Sequence, residues 1–280
     1  MNTGKQKNTR LRQVGTMLLA FVLVLGLSAA PVQASGLSDV APAGKKEVSI
    51  KQKSKKIVLK NTKGKNKSEV AALKKMLKNN SFLIDNPNIV SFYSDLNNKE
   101  YYKWTEDGRL KYCALDILSG VVSMKAFKKL EVLDCKECQC GDRLIRLDLS
   151  QNKELKKVHC EYNALANLNV SGCQKLEELY CRGNKLKSLD VSGCPELRKL
   201  DCGYNKLASL NVSGCPELWY LDCSENKLKS LDVSGCPKLK KLYCQENKLT
   251  SLDLSNNKIL DYDGYDDFDC DEDVEIICPQ

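Results

Sequence analysis

The chain has 280 residues, 42% of them hydrophobic and 29% charged, with a formal net charge of +8. That content, without an excess of Gly or Pro, supplies one or two buried cores and excludes a disordered or collagen-like chain. His159 is the only imidazole, which leaves little material for acid–base relays or histidine-rich metal centres, so the 15 cysteines need a different explanation.

Residues 1–34 read as a signal peptide. Lys5, Lys7, Arg10 and Arg12 form a positive start, "MLLAFVLVLGLSAA" is a short apolar core, and Val32-Gln33-Ala34 offers small residues for cleavage before Ser35. The apolar run falls short of the roughly 18 residues of a spanning helix. The mature chain is therefore expected to be exported, either secreted or loosely associated with the cell surface, with no membrane span after cleavage. The end "VEIICPQ" carries no recognisable sorting signal.

Residues 35–66, with "KKEVSIKQKSKKIVLKNTKGKNK", are expected to be a flexible lysine-rich lead-in. Its Lys45–Lys67 stretch either attracts an anionic cell-wall polymer or is a solvated spacer. Residues 67–110 are expected to be an N-terminal cap. In "SEVAALKKMLKNN", Ser68 is a candidate N-cap, and Val70, Leu73, Met76 and Leu77 recur at helical spacing. "KEYYKWTEDGRLKYC" has the pattern of a hairpin turning at Asp107-Gly108.

Residues 111–260 contain the dominant signal. Leu147, Leu168, Leu189, Leu210, Leu231 and Leu252 lie 21 residues apart, giving five full copies and a partial sixth of one unit. Within a copy, Leu197, Leu200, Cys202, Asn205 and Leu207 spell L-x-x-L-x-C-x-x-N-x-L, and Leu207, Leu210, Val212, Cys215 and Leu218 nearly repeat it. The step of two from Leu200 to Cys202 puts both on one face of a short strand. Each copy thus predicts a flat coil of two extended segments with its apolar residues turned inward. One coil buries too little to offset the entropy of ordering itself, so the coils must stack into a solenoid.

The phrases "LRKLDCGYNKL", "LWYLDCSENKL" and "LKKLYCQENKL" resemble the leucine-rich repeat segment LxxLxLxxNxL, with Cys in the third apolar slot. With the linking "LDVSGCP", they are similar to the short irregular class of exported bacterial leucine-rich repeat proteins. The resemblance implies a repeat solenoid of short parallel strands and irregular coils, closed by a small helix and hairpin cap. It also implies a binding surface rather than a specific ligand.

In this register Cys160, Cys181, Cys202, Cys223 and Cys244 fill the inward slot usually held by Leu. Cys173, Cys194, Cys215 and Cys236 fill the slot equivalent to the Asn ladder. A buried thiol is a small hydrophobe with a weak donor. Stacked strands sit about 4.8 Å apart, but parallel in-register side chains hold Cβ atoms farther apart than a disulfide needs, so free core thiols are expected rather than a bridged ladder. The redox states of Cys113, Cys138, Cys140, Cys270 and Cys278 stay open. In "CKECQC", Cys135, Cys138 and Cys140 have metal-like spacing, yet Leu130, Leu133 and Cys135 fit the repeat register, which favours a degenerate repeat with a short insertion.

Residues 261–280 carry nine acidic side chains and no basic one. "DYDGYDDFDC" lacks the spacing of a calcium loop, so Phe268, Cys270, Val274 and Ile276 are expected to form a last coil, an acidic C-terminal cap.

The outward positions of the first strand carry the candidate site. His159, Tyr180, Asp201, Asp222 and Tyr243 occupy one outward slot, Trp219 and Tyr220 the two slots before it, and Tyr162 and Tyr204 a loop slot. Exposed Trp and Tyr on a regular scaffold are the material of binding hot spots. Lys185, Lys206, Lys227 and Lys248 line one edge, where they either bind a polyanion or, the favoured reading, keep the edge soluble and unpaired. No nucleophile, base and orienter can be assembled, nor any complete metal or cofactor set. The sequence thus points to a secreted, non-enzymatic recognition module for a protein or surface glycan, with no specific nucleic-acid signal. The alternative is a structural or cell-wall-associated protein retained by its lysine-rich segment.

Overall fold

The structure is a computed structural model that describes residues 57–78, 93–136, 143–257 and 267–277. The signal-peptide segment, most of the lysine-rich lead-in, Cys138, Cys140 and Cys278 lie outside the described residues. The elements in chain order are α1 (Lys67–Lys78), β1 (Tyr102–Trp104), β2 (Leu110–Ala114), β3 (Gly120–Ser123), β4 (Val132–Asp134), β5 (Leu144–Asp148), β6 (Lys157–His159), β7 (Asn167–Asn169) and β8 (Glu178–Tyr180). They continue with β9 (Ser188–Asp190), β10 (Lys199–Asp201), β11 (Ser209–Asn211), β12 (Tyr220–Asp222), β13 (Lys241–Tyr243), β14 (Ser251–Asp253), β15 (Phe268–Asp269) and β16 (Glu275–Ile277).

Each repeat contributes one strand to a nine-stranded sheet ordered β1-β2-β4-β6-β8-β10-β12-β13-β15. All its pairings are parallel except the hairpin β1–β2. The other half of each coil forms shorter parallel ladders, β3-β5-β7, β9-β11 and β14-β16. We call these the first and second sides. The pairing of Leu200 with Leu179 and Leu221 is in strict register, because an exact 21-residue period returns the same side chain to the same depth. This is the parallel-strand solenoid, with its helix and hairpin cap, that the repeat pattern implies.

Leucines 176, 179, 186, 197, 200, 207, 218, 221 and 228 are fully buried between the two sides. At the corner after each first-side strand, the amide of Asn184 donates to the carbonyls of Cys160, Cys181 and Arg182 at 3.0, 2.9 and 3.4 Å, and its Oδ1 accepts from Leu165 N–H at 2.9 Å. Asn163, Asn205, Asn226 and Asn247 repeat the arrangement. The turn needs left-handed backbone just before this Asn, where φ is 54° at Tyr162, 69° at Gly183, 52° at Tyr204, 53° at Glu225 and 59° at Glu246. Non-glycine residues there carry a cost of about 1 kcal/mol or more each, which the Asn bonds offset.

The phrase L-[DN]-V-S-G has its own local logic. Asp190 Oδ1 accepts from both the backbone N–H and the hydroxyl of Ser192, at 2.9 and 2.7 Å, and Asn169 and Asn211 do the same for Ser171 and Ser213. The glycine follows because the chain then grazes the preceding coil: a Cβ on Gly214 would lie 2.0 Å from the Ser192 carbonyl oxygen.

At the N-terminal end the first coil is closed by α1 and the hairpin, which turns at Gly108 with φ 73°. The helix is capped by Asn66 rather than Ser68: Asn66 Oδ1 accepts from the N–H groups of Ser68 and Glu69 at 3.1 and 3.2 Å. Fully buried Glu69 binds Arg109 Nε at 2.7 Å and Leu110 N–H at 2.6 Å. The lysine-rich lead-in also needs correction at its end. Ile57 is buried, Lys60 bridges to Asp95, and Lys65 Nζ binds Asn61 O and Asn97 Oδ1 at 2.7 Å each, so residues 57–66 are tied to the cap although Val58 and residues 60–64 stay exposed. At the other end β15 and β16 complete a last coil in which Val274 is buried and Phe268, Cys270 and Ile276 pack against the core. No described helix is long and apolar enough to cross a membrane.

Candidate functional site

Inside the first side, Cys135, Cys160, Cys181, Cys202, Cys223 and Cys244 are buried in successive coils, and half-buried Cys270 extends the column. Cys113 occupies the neighbouring Leu slot, opposite Leu133. The second-side column reads Asn152, Cys173, Cys194, Cys215, Cys236, Asn257. Each thiol points to a carbonyl of the preceding coil: Cys173 to Leu149 O at 3.4 Å, Cys194 to Val170 O at 3.7 Å, Cys215 to Val191 O at 3.3 Å and Cys236 to Val212 O at 3.5 Å. Asn152 and Asn257 make the same donor contacts at the two ends, but their Oδ1 atoms are buried without a partner. The slot offers a carbonyl to a donor and no N–H to an acceptor, so a thiol satisfies it more fully than an amide does. None of the twelve described cysteines is in a disulfide. Burial pushes the thiols up, to about 11 for Cys194 and Cys236, about 12 for Cys173 and Cys215, and well above the ordinary range for Cys181, Cys202 and Cys223. Neither ladder is therefore a nucleophile or an anionic ligand at neutral pH.

The sequence-predicted surface residues come together on the outer face of the first side. The His159 and Tyr180 rings stack with centroids 4.7 Å apart, Trp219 meets Tyr220 edge-on at 6.0 Å, and Tyr220 reaches Tyr243 at 5.8 Å. Between these aromatic groups lie Asp201 and Asp222, paired side by side on β10 and β12. Two expectations change here. Asp222 is buried, only 9% exposed, and Trp219 and Tyr220 are half-buried rather than exposed, because neighbouring strands bring long side chains over them. Lys199 Nζ, for example, sits 5.3 Å from the Trp219 ring centroid.

What covers Asp222 was missed by register reasoning. Arg182 Nη1 reaches across two coils to Asp222 Oδ2 at 2.8 Å, passing Asp201 Oδ1 at 3.7 Å, with its guanidinium 4.4 Å from the Tyr204 ring centroid. Its path crosses Gly203, where any Cβ would lie 2.5 Å from Arg182 Nη1. The signal was in the sequence as a glycine in a column otherwise filled by Glu161, Arg182, Ser224 and Gln245. Burial, together with the neighbouring Asp222 charge, raises the Asp201 carboxyl to about 6. Tyr204, 49% exposed, and Tyr162, 51% exposed, remain outward. Other parts of the face are mutually neutralised, as where Glu178 meets Lys157 at 3.1 Å and Lys199 at 3.7 Å. Among the described residues, no group of three His, Cys, Asp or Glu side chains could hold a metal ion.

Two family models match the chain, Leucine Rich repeats (2 copies) over residues 174–214 and Leucine Rich repeat over residues 245–264, so the chain carries leucine-rich repeats. Both describe repeats rather than a catalytic domain. No curated protein gives a significant match. Among solved structures, the functional domain of InlJ from Listeria monocytogenes, which includes a cysteine ladder, is similar at 26% identity and TM-score 0.48, covering 64% of this chain and 39% of that one. An internalin, inlF, from the same organism is 18% identical with TM-score 0.40, covering 53% and 49%. The leucine-rich repeat protein LIC12759 of Leptospira interrogans is 17% identical with TM-score 0.30, covering 56% of each chain. The chain thus spans less than two thirds of each of these proteins.

Proposed function

We propose that this chain of leucine-rich repeats is an exported, non-enzymatic recognition module that binds another protein through the outer face of its first side. The observation that carries the reading is the contrast between columns. Inward slots repeat Leu, Cys and Asn with few exceptions, such as Val158 in a Leu column, and the second-side face largely repeats Ser and Asp or Asn. The first-side slot runs His159, Tyr180, Asp201, Asp222, Tyr243, combining aromatic and acidic side chains in five coils. Packing alone asks for no such variety on an outward column. Mixed aromatic and charged groups held on a rigid sheet are what a specific protein partner requires. Export is supported by the basic start and apolar run of residues 1–34.

Site-specific photo-crosslinking tests it. Benzoylphenylalanine placed at Tyr180 should trap discrete surface proteins from the native environment of the protein, whereas the same group at Asn211 on the second side should trap none of them. Adducts that form from Asn211 and not from Tyr180 would move the interface to the other side.

A further inference from the structure

The turns that lead into β10, β12 and β13 border a depression lined by Arg198, Glu217, Trp219, Lys238 and Lys240. Most cations on this face already hold a carboxylate. Lys238 binds both oxygens of Glu217 at 2.6 and 2.7 Å, Lys199 pairs with Glu178, and Lys241 with Asp267. Arg198 and Lys240 are different. They stand one coil before and one coil after Trp219 in the same column, both exposed, and among the described residues no carboxylate lies within ion-pair distance of either. The indole is thus flanked on both sides by an unused positive charge.

We propose that this depression binds an acidic segment of the partner polypeptide, with an apolar or aromatic residue on Trp219 and carboxylates at Arg198 and Lys240. The inference rests on the first side being the protein-binding face. Two coil spacings separate Arg198 from Lys240, about 10 Å at 4.8 Å per strand. In an extended peptide the residues i, i+2 and i+4 share a face, and i to i+4 spans about 13 Å. The long Arg and Lys side chains take up the difference.

An anionic glycan fits less well. A uniformly charged polymer crossing these strands would also meet Glu177, Glu178 and Glu217 at coil spacing, whereas a peptide can place acids at two points and neutral residues elsewhere.

Trp219 provides a local reporter, since the second tryptophan, Trp104, lies in the cap with its Nε1 donating to Leu96 O at 2.8 Å. The probe is the peptide Ser-Glu-Ser-Phe-Ser-Glu-Ser, titrated against the full mature chain, with the Lys-for-Glu peptide and polygalacturonate as comparison arms. Saturable quenching by the acidic peptide should disappear in Trp219→Phe. Its affinity should fall about tenfold or more in Arg198→Glu/Lys240→Glu and less than about twofold in Lys206→Glu/Lys227→Glu on the opposite edge. Equal losses in the two charge-reversed variants would reduce the effect to general attraction and overturn the site. So would tighter, Trp219-dependent binding of polygalacturonate, which would make it a glycan site, or the lack of any saturable quenching. If the peptide fails while crosslinks still form from Tyr180, the protein-binding face survives and only the acidic ligand is rejected.

Discussion

The two sides of each coil use one residue type for two purposes. On the first side the cysteines line the interior beneath a face whose outward slot mixes His, Tyr and Asp, with Asp201 and Asp222 in successive coils. On the second side they replace asparagine, donating to the preceding coil beneath a face of repeated Ser and Asp or Asn. The difference teaches that position, not identity, fixes what a side chain contributes. In the first-side slot a thiol serves chiefly as volume, with Cys160 also donating to Tyr180 O at 3.5 Å; in the second-side slot all four thiols serve as donors that leave no acceptor stranded.

The largest expected effect strikes both sides together. The folded thiols titrate far above the unfolded value near 9, so between that pH and the folded pKa values the folded state binds more protons than the unfolded one. Stability is therefore intact below about pH 9 and lost as pH rises. As pH climbs past 9 each buried thiol opposes the fold by on the order of 1 kcal/mol per pH unit, and nine of them acting together rival the whole stability of a typical domain. Circular dichroism of the protein kept in reductant should show unfolding by about pH 10. A fold that persists to pH 11 under those conditions would mean that the ladders are not buried thiols.

The next effect separates the sides. Cys202→Asn puts an amide into a dry slot of the first side and should cost on the order of 4 kcal/mol, through overpacking and unpaired polar atoms. Cys215→Asn on the second side copies what Asn152 and Asn257 already do, and should cost only about 1 kcal/mol for the stranded Oδ1. Urea midpoints of the two variants give the ratio directly; equal losses would erase the distinction between the ladders. Between these lies Asn184→Ala at the corner, expected to cost about 3 kcal/mol because it strands a buried N–H and several carbonyls at once.

Much of this organisation was legible in the sequence because a 21-residue period carries register with it: the inward Leu, Cys and Asn columns could be placed before any coordinates. The hairpin turn at Gly108 was likewise local. What could not be read depended on contacts between coils. Arg182 reaches Asp222 across 40 residues only because Gly203 leaves the path open. Trp219 and Tyr220 lose exposure to neighbours about 4.8 Å away, a crossing-strand effect that a single coil does not contain. The Asn66 cap was missed because Ser68 has equally good cap chemistry, and only the chain path decides between them.

The smallest effect is of opposite sign and compares the two faces. Asp201 on the first side has its carboxyl raised to about 6, first by burial and then by the Asp222 charge. Its folded pKa lies above the unfolded value of 3.8, so the folded state binds the extra proton in between, and stability falls as pH climbs from about 4 to about 6 and then stays lower. At neutral pH the charged Asp201 therefore works against the fold. Asp201→Asn should raise stability by about 1 kcal/mol at pH 7 and by nothing at pH 4, since the native carboxyl is then already neutral. Asp190 on the second side is the counterpart: its carboxyl is held down by the hydroxyl and N–H of Ser192, and Asn169 and Asn211 make the same turn without a charge. Asp190→Asn should change stability by less than about 0.5 kcal/mol. If the first side is the binding face as proposed, a residue kept there at a cost to the fold is the thermodynamic mark expected of it. Thermal unfolding of both variants at pH 4 and pH 7 checks it: a loss of stability in Asp201→Asn at pH 7 would return Asp201 to the scaffold and leave the two sides alike.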